Sequence, residues 1–399
     1  MKELCLITCS GPNHDSLVPV LMGVLADHSV NVLDMDLSVT HRQVNTGILV
    51  EIPGAAVAGA VHKDILFAAH GLGLRVRFEG ITLAQYQQWV EDANTSRYIV
   101  TVLARKIEAQ HLGAVSEVAS QHGLSIEHVE RIGGRVSLAA RDAPSQECLE
   151  ITTGGQPKDL AHLRSDFLEL SSQHPIDIAV QADDAFRRTR RLVCFDMDST
   201  LIEVEVIDEL AKAAGVGEQV AEVTERAMRG ELDFNESFAS RLATLKGLDE
   251  SVLSAIAEAL PITEGAERLI STLRRMGYKT AILSGGFTYF AEHLQKKLGI
   301  DYVHANELAI TDGKVIGEVR GDIVNGERKA ALLQQLAERE GLSLDQVIAV
   351  GDGANDIPML SLAGLGVAFR AKPVVRAQAE YAITTLGLDG LLYLIGYRD

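Results

Sequence analysis

The sequence predicts a protein of the α/β class, in which two small ferredoxin-like α+β domains precede an open parallel sheet with helices on both faces. Two observations lead to this prediction. An internal repeat runs through roughly the first 180 residues, and from Leu192 onward short apolar strands alternate with helical segments. Regular alternation of strands and helices is typical of a parallel sheet, whereas consecutive strands within each repeat favour small antiparallel sheets.

The repeat relates "VLADHSVNV", residues 24–32, to "VASQHGLSI", residues 118–126, at a shift of 94 residues. The same shift aligns residues 4–8 with residues 98–102. In the first copy, apolar residues recur at the spacing of an amphipathic helix at Leu17, Val20, Leu21, Val24 and Leu25.

Each copy has the order strand, helix, strand, strand, helix, strand, which is the ferredoxin-like plan of an antiparallel sheet covered by helices on one face. We therefore predict one domain over residues 1–88 and a second over residues 96–183. The segment "YQQWVEDANTSR" joins the two copies.

The third predicted domain covers residues 190–399. Its apolar strands are Leu192–Phe195, Thr280–Leu283 and Val347–Val350. About 75 largely helical residues separate the first two strands, too many for one crossover helix, so we predict a helical cap inserted at about 204–265. "ELAITDGKVIGEV" predicts a hairpin around Asp312-Gly313. The basic run Arg187–Arg191 is interpreted as a solvated linker or domain start.

Composition limits the classes of partner. The net charge of −18 argues against nucleic acid and anionic membranes, which need a positive protein surface. The four cysteines form no C-x-x-C motif, and no segment has the length of a membrane helix. We therefore expect a cytoplasmic protein.

Polar residues follow each of the three apolar strands. These are Asp196-Met197-Asp198-Ser199-Thr200, Ser284-Gly285-Gly286 and Gly351-Asp352-Gly353-Ala354-Asn355-Asp356. Ligands of open parallel sheets bind beyond the carboxyl ends of the strands. The paired carboxylates of Asp196 and Asp198 repel each other, so a proton or cation must neutralise them. An all-oxygen cluster suits Mg²⁺.

Each cluster alone has a plainer explanation. A D-x-D after a strand is commonly a turn or a helix N-cap, Ser-Gly-Gly is commonly a loop, and "GDGAND" resembles part of a calcium loop. An EF-hand loop would need glutamate at its twelfth position, where Leu362 stands. The presence of all three clusters in chain order favours a catalytic site.

These motifs, together with a lysine at the start of a later helix, resemble those of the haloacid-dehalogenase-like hydrolases, most closely their phosphoserine phosphatase branch. The resemblance covers Leu192 to about Gly396 and includes the helical cap. It implies a Rossmann-like sheet and hydrolysis of O-phospho-L-serine to L-serine and phosphate, the last step of serine biosynthesis. The two N-terminal domains resemble ACT domains, which sense amino acids.

By this resemblance, Asp196 is a nucleophile that forms an aspartyl-phosphate, and Asp198 is the general acid and then the general base. Mg²⁺ would be bound by Asp196, by the backbone carbonyl of Asp198 and by Asp352. Asp356 is expected to bind the ion through water or to support its ligands.

The resemblance also implies a set of substrate-binding residues. Ser284, the Gly285 amide, Lys329 and Asn355 would contact the phosphoryl group, with Arg328 as the second choice for the lysine. Glu205 would bind the substrate ammonium and Arg241 its carboxylate. Phe234 and Met228 would form the apolar wall of the cap.

Three alternatives stay open at this point. They are a broad-specificity phosphatase, a phosphotransferase of the same fold, and a sensor whose phosphatase domain is vestigial. The resemblance further implies a homodimer and serine feedback through the ACT-like domains. The first copy has Gly11 near its first turn, but the second has no glycine before Gly113, and this departs from the ligand-binding pattern of ACT domains.

Overall fold

A computed structural model of the chain describes residues 2–92, 96–135, 146–228 and 231–399. The chain forms two compact units, residues 1–95 and 96–399. The predicted division into three domains, with boundaries at 88/96 and 183/190, stays a prediction. In the described part of the chain, no helix combines the length and the apolar character that a membrane crossing requires.

The first unit has the predicted β-α-β-β-α-β order followed by one more helix. Its elements are β1 (Glu3–Pro12), α1 (Leu17–Asp27), β2 (Asn31–Thr40), β3 (Gln43–Ile52), α2 (Ala55–Gly71), β4 (Arg75–Ile81) and α3 (Leu83–Asp92). The strands form an antiparallel sheet in the order β2-β3-β1-β4. Leu17, Leu21 and Leu25 are buried on one face of α1, as the helical spacing predicts. The joining segment is partly the helix α3, which the sequence pattern did not predict.

The second unit begins with the same fold. Its first elements are β5 (Arg97–Ala104), α4 (Ala109–Gln121), β6 (Ser125–Arg131), β7 (Glu147–Gly154), α5 (Leu160–Gln173) and β8 (Asp177–Ala182). Their sheet order is β6-β7-β5-β8. The shift of 94 holds for the first helices, where Leu21 matches Val115, but the inward residues of the first strands match at 95, Ile7 with Val102. The predicted alignment of the first strands was therefore wrong by one residue, which exchanges the two faces of a strand.

A larger sheet follows in the same unit. In chain order, its first nine elements are α6 (Phe186–Thr189), β9 (Leu192–Phe195), α7 (Val206–Ala214), α8 (Gly217–Met228), α9 (Phe234–Ala243), α10 (Val252–Ala259), α11 (Ala266–Arg275), β10 (Lys279–Phe287) and α12 (Thr288–Leu298). The remaining elements are β11 (Tyr302–Thr311), β12 (Lys314–Arg320), α13 (Gly326–Arg339), β13 (Val347–Gly351), α14 (Ile357–Leu362), β14 (Leu365–Phe369), α15 (Pro373–Arg376), β15 (Tyr381–Ile383) and α16 (Leu391–Leu394).

The seven strands have the order β12-β11-β10-β9-β13-β14-β15, and all neighbours are parallel except β11 and β12. Val193 and Phe195 of the central strand belong to one hydrophobic core, whereas Leu192 and Cys194 belong to the core on the other face. Burial on both faces explains why this strand is apolar at every position instead of alternating. Each fully buried side chain of this kind contributes about 1.5–3 kcal/mol to stability.

The helices α7 to α10 form the predicted cap, and the two chain connections to it lie side by side. Ile202 and Ile262 form an isolated antiparallel bridge. The amide of Thr263 donates to the carbonyl of Leu201 at 3.0 Å. The predicted hairpin is also confirmed, since β11 and β12 are joined by Asp312-Gly313, both with positive φ, as a type I′ turn requires.

The interpretation of Arg187–Arg191 as a solvated linker or domain start is wrong for Arg187 and Arg190, whereas Arg188 and Arg191 are exposed. Arg187 is completely buried and donates to Glu150 of β7, and Arg190 is nearly as buried. Burial of a guanidinium requires a paired partner, and Glu150 is too distant in the sequence for a local pattern to reveal it.

Candidate active site

The site lies at the carboxyl ends of β9, β10 and β13, as the strand-end argument predicted. Residue Phe195 of β9 is in register with Val350 of β13, so Asp196 and Asp352 follow neighbouring strands directly. The amide of Asp196 donates to the carbonyl of Val350 at 2.9 Å. The two carboxylates are therefore placed by the hydrogen bonding of the sheet itself.

The chain turns sharply after β9. Ser199 has φ of 56° in the left-handed region, which is uncommon for a residue with a side chain and is concentrated at functional sites. The turn brings Asp198 to the start of α7, where its carboxylate accepts a hydrogen bond from the amide of Val206 at 2.9 Å. Ser199 in turn donates to Glu205 at 3.2 Å.

One carboxylate cluster could hold a metal ion. Carboxylate oxygens of Asp196, Asp352 and Asp356 all lie within 4.8 Å of one another. The donor set contains only oxygen, which suits a hard divalent cation such as Mg²⁺. Glycine is required beside it, because a Cβ on Gly351 would lie 2.5 Å from the carboxylate carbon of Asp356.

The side chain of Lys329 brings a positive charge to this carboxylate cluster. It is completely buried in the first turn of α13, and its Nζ lies 2.9 Å from Asp196 Oδ2 and 2.7 Å from Asp356 Oδ1. Asn325 caps the helix by accepting from the amide of Arg328, whose own side chain is exposed. The geometry thus directs Lys329 inward and Arg328 to solvent.

The environment shifts the pKa values of Asp198, Asp352 and Lys329. Burial raises the pKa of Asp198 well above its usual range, and the nearby Glu205 and Asp196 add to the shift. Burial, with help from Asp196, raises the pKa of Asp352 to about 8. Burial lowers the pKa of Lys329, but Asp196 and Asp356 outweigh it and raise that pKa. Shifts of this kind are concentrated at catalytic sites.

Between the strand ends and the cap lies an open cleft of about 870 Å³. Most of the predicted site residues line it, namely Asp196, Asp198, Glu205, Phe234, Arg241, Gly285, Asp352 and Asn355. Ser284, Lys329 and Asp356 are completely buried, and they adjoin the lining residues Gly285, Asp196 and Gly353, respectively. Met228 ends α8, and its side chain lies outside the described residues.

The cap side of the cleft carries the base Arg241 and the acid Glu205, with Asp208 and Asp233 as further acids in the lining. Desolvation by the cleft raises the pKa of Glu205, Asp196 raises it further, and Arg241 opposes the shift. The Nε of Arg241 is buried without a hydrogen-bond partner in the described structure. Phe234 stacks on Phe238 with ring centroids 6.2 Å apart. The cleft therefore offers separate binding groups for a cation, an anion and an apolar chain.

The loop with Ser284 differs from the prediction. The strand β10 continues to Phe287, so Ser284-Gly285-Gly286 lies within its irregular final part and not after its end. Ser284 Oγ accepts from the Gly286 amide at 2.9 Å. A Cβ on Gly286 would lie 2.6 Å from Asp198 Oδ2, so only glycine permits this approach.

Sequence reasoning missed two residues that hold the site together. Thr200 donates to Asp352 at 3.1 Å and was within reach of prediction, because it belongs to the D-x-D-S-T motif. Buried Asn306 of β11 donates to the Gly285 carbonyl at 2.7 Å and accepts from the Val324 amide at 2.8 Å. A lone asparagine in an apolar strand carries no signal of this role.

Comparisons with known proteins agree with this geometry. Residues 190–364 match the family model of haloacid dehalogenase-like hydrolases, and residues 3–79 match that of the ACT domain. The chain is 38% identical over 397 residues to phosphoserine phosphatase SerB2 of Mycobacterium tuberculosis, covering 99% of this chain and 93% of that protein. It is also 38% identical to a phosphoserine phosphatase of Streptomyces coelicolor, covering 98% of this chain and 92% of the relative.

Solved structures are similar as well. A haloacid dehalogenase-family hydrolase from Salmonella enterica serovar Typhi superposes with a TM-score of 0.65 at 30% identity, covering 75% of this chain and 98% of that one. A probable phosphoserine phosphatase from Vibrio cholerae superposes with a TM-score of 0.59 at 34% identity, covering 77% and 88%. The chain belongs to the phosphoserine phosphatase family of the haloacid dehalogenase-like hydrolases, with an N-terminal ACT domain.

Proposed function

We propose that the protein hydrolyses O-phospho-L-serine to L-serine and phosphate through an aspartyl-phosphate on Asp196. The observation that carries the proposal is the cleft in which the strand-end carboxylates face Glu205 and Arg241 of the cap side. Such a cleft has a reactive end for a phosphate ester and a recognition end for an amino acid. The printed names of the relatives support the same substrate.

The reaction proceeds in two displacements at phosphorus. A carboxylate oxygen of Asp196 attacks phosphorus while the bond to the serine oxygen breaks, and Asp198 gives its proton to that oxygen. Water then attacks the aspartyl-phosphate, Asp198 takes a proton from the water, and phosphate leaves as the Asp196 carboxylate re-forms. The raised pKa of Asp198 supports this role, because an acid must hold its proton before it can donate it.

The oxygen cluster fits Mg²⁺, with Asp196, the Asp198 carbonyl and Asp352 as ligands and Asp356 as a ligand through water or as their support. When bound, the ion would neutralise charge on the phosphoryl oxygens. Lys329 contributes a fixed positive charge beneath Asp196 and keeps one of its oxygens engaged. The amide of Gly285, Ser284 and Asn355 are proposed to contact the phosphoryl group.

For the serine part of the substrate, Glu205 would accept from the ammonium and Arg241 would bind the carboxylate with its planar fork. Phe234 and Met228 would supply the apolar wall.

A phosphate-release assay tests the proposed function. The panel is O-phosphoserine, O-phosphothreonine, a sugar phosphate and an aryl phosphate, each with Mg²⁺ and with a chelator. We expect O-phosphoserine to be the best substrate, activity to disappear on chelation, and Asp196→Asn to lose about a thousandfold or more. Undiminished turnover by this variant would refute the mechanism.

The role of Arg241 has its own assay. Arg241→Ala should raise KM for O-phosphoserine and leave the aryl phosphate reaction unchanged. Lys212→Ala is the matched control, because this exposed cap lysine pairs with Glu209 and does not line the cleft. Equal losses on both substrates would contradict carboxylate recognition.

Two alternatives have distinct outcomes. Similar rates across the panel would indicate a broad-specificity phosphatase. Phosphate transfer to an added sugar, with little release in its absence, would indicate a phosphotransferase.

We further propose a homodimer in the cytoplasm, a location that the four free and buried cysteines support. Feedback by L-serine at the ACT-like domains is a narrower proposal. Gly11 lies within β1, where a Cβ would meet the Gly73 carbonyl at 2.9 Å, and Gly113 lies inside α4. L-serine acting only as a product would inhibit competitively, whereas an effector would also lower kcat.

A further inference from the structure

A cluster of two histidines and one aspartate lies on the helices of the second ferredoxin-like domain, apart from the carboxylate cluster. His122 directly follows α4, and His162 and Asp166 are four residues apart on α5. His122 Nε2 lies 2.7 Å from Asp166 Oδ2, and His162 Nε2 lies 3.8 Å from the same oxygen. Ligand atoms of all three residues lie within 4.8 Å of one another.

We propose that these three side chains bind a divalent transition-metal ion of the Zn²⁺ class. Two imidazole nitrogens and a carboxylate oxygen are ligands that Zn²⁺ prefers, whereas Mg²⁺ prefers oxygen alone. In a tetrahedral site with metal–ligand distances of about 2.0–2.1 Å, ligand atoms are separated by about 3.3 Å. The two histidine–aspartate separations lie on either side of this value, and the two histidine nitrogens lie within 4.8 Å of each other, so side-chain rotation must close a gap of at most about 1.5 Å.

The first ferredoxin-like domain shows which part of the cluster is structural. There, His28 follows α1 and lies 2.9 Å from Asp64 of α2, the same contact between the two helices. The position four residues before Asp64 is Ala60, where the second domain has His162. A contact that ties two helices therefore needs only one histidine, and His162 is the addition that turns the pair into a three-ligand site.

The exposure of the three side chains suits ion binding. His122 is 10% exposed and Asp166 30%, so two ligands are held in place by packing, while His162 is 67% exposed and leaves a path for the ion. Water can occupy the fourth position on the open side.

Binding would fasten α4 to α5, and α5 also carries Arg164. Its guanidinium donates to Glu380 at 2.7 Å and to the Tyr381 hydroxyl at 3.2 Å, near β15 of the larger sheet. An ion at this site would therefore stabilise the helix that contacts the catalytic part of the chain.

The test is Zn²⁺ binding by the full-length chain, measured by calorimetry and by the metal content after gel filtration. His162→Ala removes the exposed ligand and keeps the His122–Asp166 contact, and His28→Ala is the matched control in the first domain. We expect the parent chain and His28→Ala to bind one more Zn²⁺ than His162→Ala, or to bind it at least about tenfold more tightly. Zn²⁺ should also raise the melting temperature of the first two by more than it raises that of the third.

Binding at the carboxylate cluster is common to all three proteins and cancels in the comparison. A visible absorption band of tetrahedral Co²⁺, present in the parent chain and absent from His162→Ala, would give an independent readout. Equal Zn²⁺ stoichiometry and affinity in the parent chain and His162→Ala would overturn the proposal.

Discussion

The two ferredoxin-like domains have the same order of elements and the same sheet topology, but the outer faces of their sheets differ. In the first domain Thr8 is paired with Gly47 and Arg77, and Thr8 and Arg77 are exposed. At the matching position of the second domain Leu103 is paired with Cys148 and Asp177, and all three are buried.

The apolar residues of this second face belong to the core of the larger sheet domain. Leu103, Cys148 and Ala179 form one hydrophobic cluster with residues such as Val193 and Phe195. The difference teaches that the inner face of such a sheet, which packs on its own helices, specifies the fold. The outer face determines whether the domain becomes part of a larger hydrophobic core.

Buried polar groups accompany this apolar face. Glu150 pairs with the completely buried Arg187, and Asp177 accepts four hydrogen bonds from Thr384 and Thr385. Glu150 and Asp177 can make these hydrogen bonds in only one arrangement of the two sheets. The contacts therefore determine how the second ferredoxin-like domain packs against the larger sheet.

Disrupting the buried ion pair between Glu150 and Arg187 should cause the largest loss of stability. Glu150→Ala leaves the Arg187 charge buried and unpaired, so we expect the second unit to lose about 3–5 kcal/mol of unfolding free energy. Glu79→Ala on the exposed outer face of the first domain should change stability by less than about 0.5 kcal/mol. Urea unfolding separates the units, because the single tryptophan, Trp89, reports the first and phosphatase activity reports the second. Equal effects would show that the outer faces do not differ energetically.

A smaller loss of unfolding free energy is expected at Asp177, which occupies in the second ferredoxin-like domain the position that Arg77 occupies in the first. Asp177→Asn keeps the size of the side chain but weakens the bonds from the two threonines, and we expect a loss of about 1.5–3 kcal/mol. Arg77→Ala serves as the control. An unchanged urea midpoint for Asp177→Asn would mean that water replaces these bonds without cost.

Arg105, in the turn after β5 of the second ferredoxin-like domain, should contribute less to the unfolding free energy than Asp177 does. Arg105 donates to both carboxylate oxygens of Glu264 at 2.6 Å and to the Thr385 carbonyl at 3.0 Å. The side chains of Arg105 and Glu264 are 34% and 40% exposed, so Arg105→Ala should cost about 0.5–1 kcal/mol. Ser10→Ala at the equivalent position of the first domain, which lies within β1, should cost less. A loss above about 2 kcal/mol would indicate that the turn is part of the buried interface.

The smallest loss of stability is expected from the histidine–aspartate contact between helices, which both ferredoxin-like domains have. His28→Ala and His122→Ala each remove one histidine–aspartate contact between two helices, and each should cost about 0.5–1 kcal/mol when a chelator is present. Thermal unfolding followed by circular dichroism measures both. A large difference between them would show that the inner, helical sides of the two domains also differ.

Much of the candidate active site could be predicted from short stretches of sequence. Asp196 directly follows β9, Asp198 comes two residues later, and Asp352 directly follows β13. Neighbouring parallel strands end at the same edge, so the proximity of these acids follows from local pattern and a general rule. The position of Gly285 within β10 could not be predicted, because the strand continues irregularly past an apparent end. Asn306 was missed for a similar reason, since its partners come from other segments.

The sequence alone determined the repeated small domains, the apolar strands, the cap between two of them and the acids at the strand ends. These features depend on hydrophobic periodicity and turn chemistry, which act over a few neighbouring residues. The tertiary structure alone decided that Arg187 is buried beside Glu150 and that the second repeat shares a hydrophobic core with the larger sheet. Each of these outcomes depends on desolvation and pairing between groups far apart in the chain, so it exists only once the fold brings the partners together.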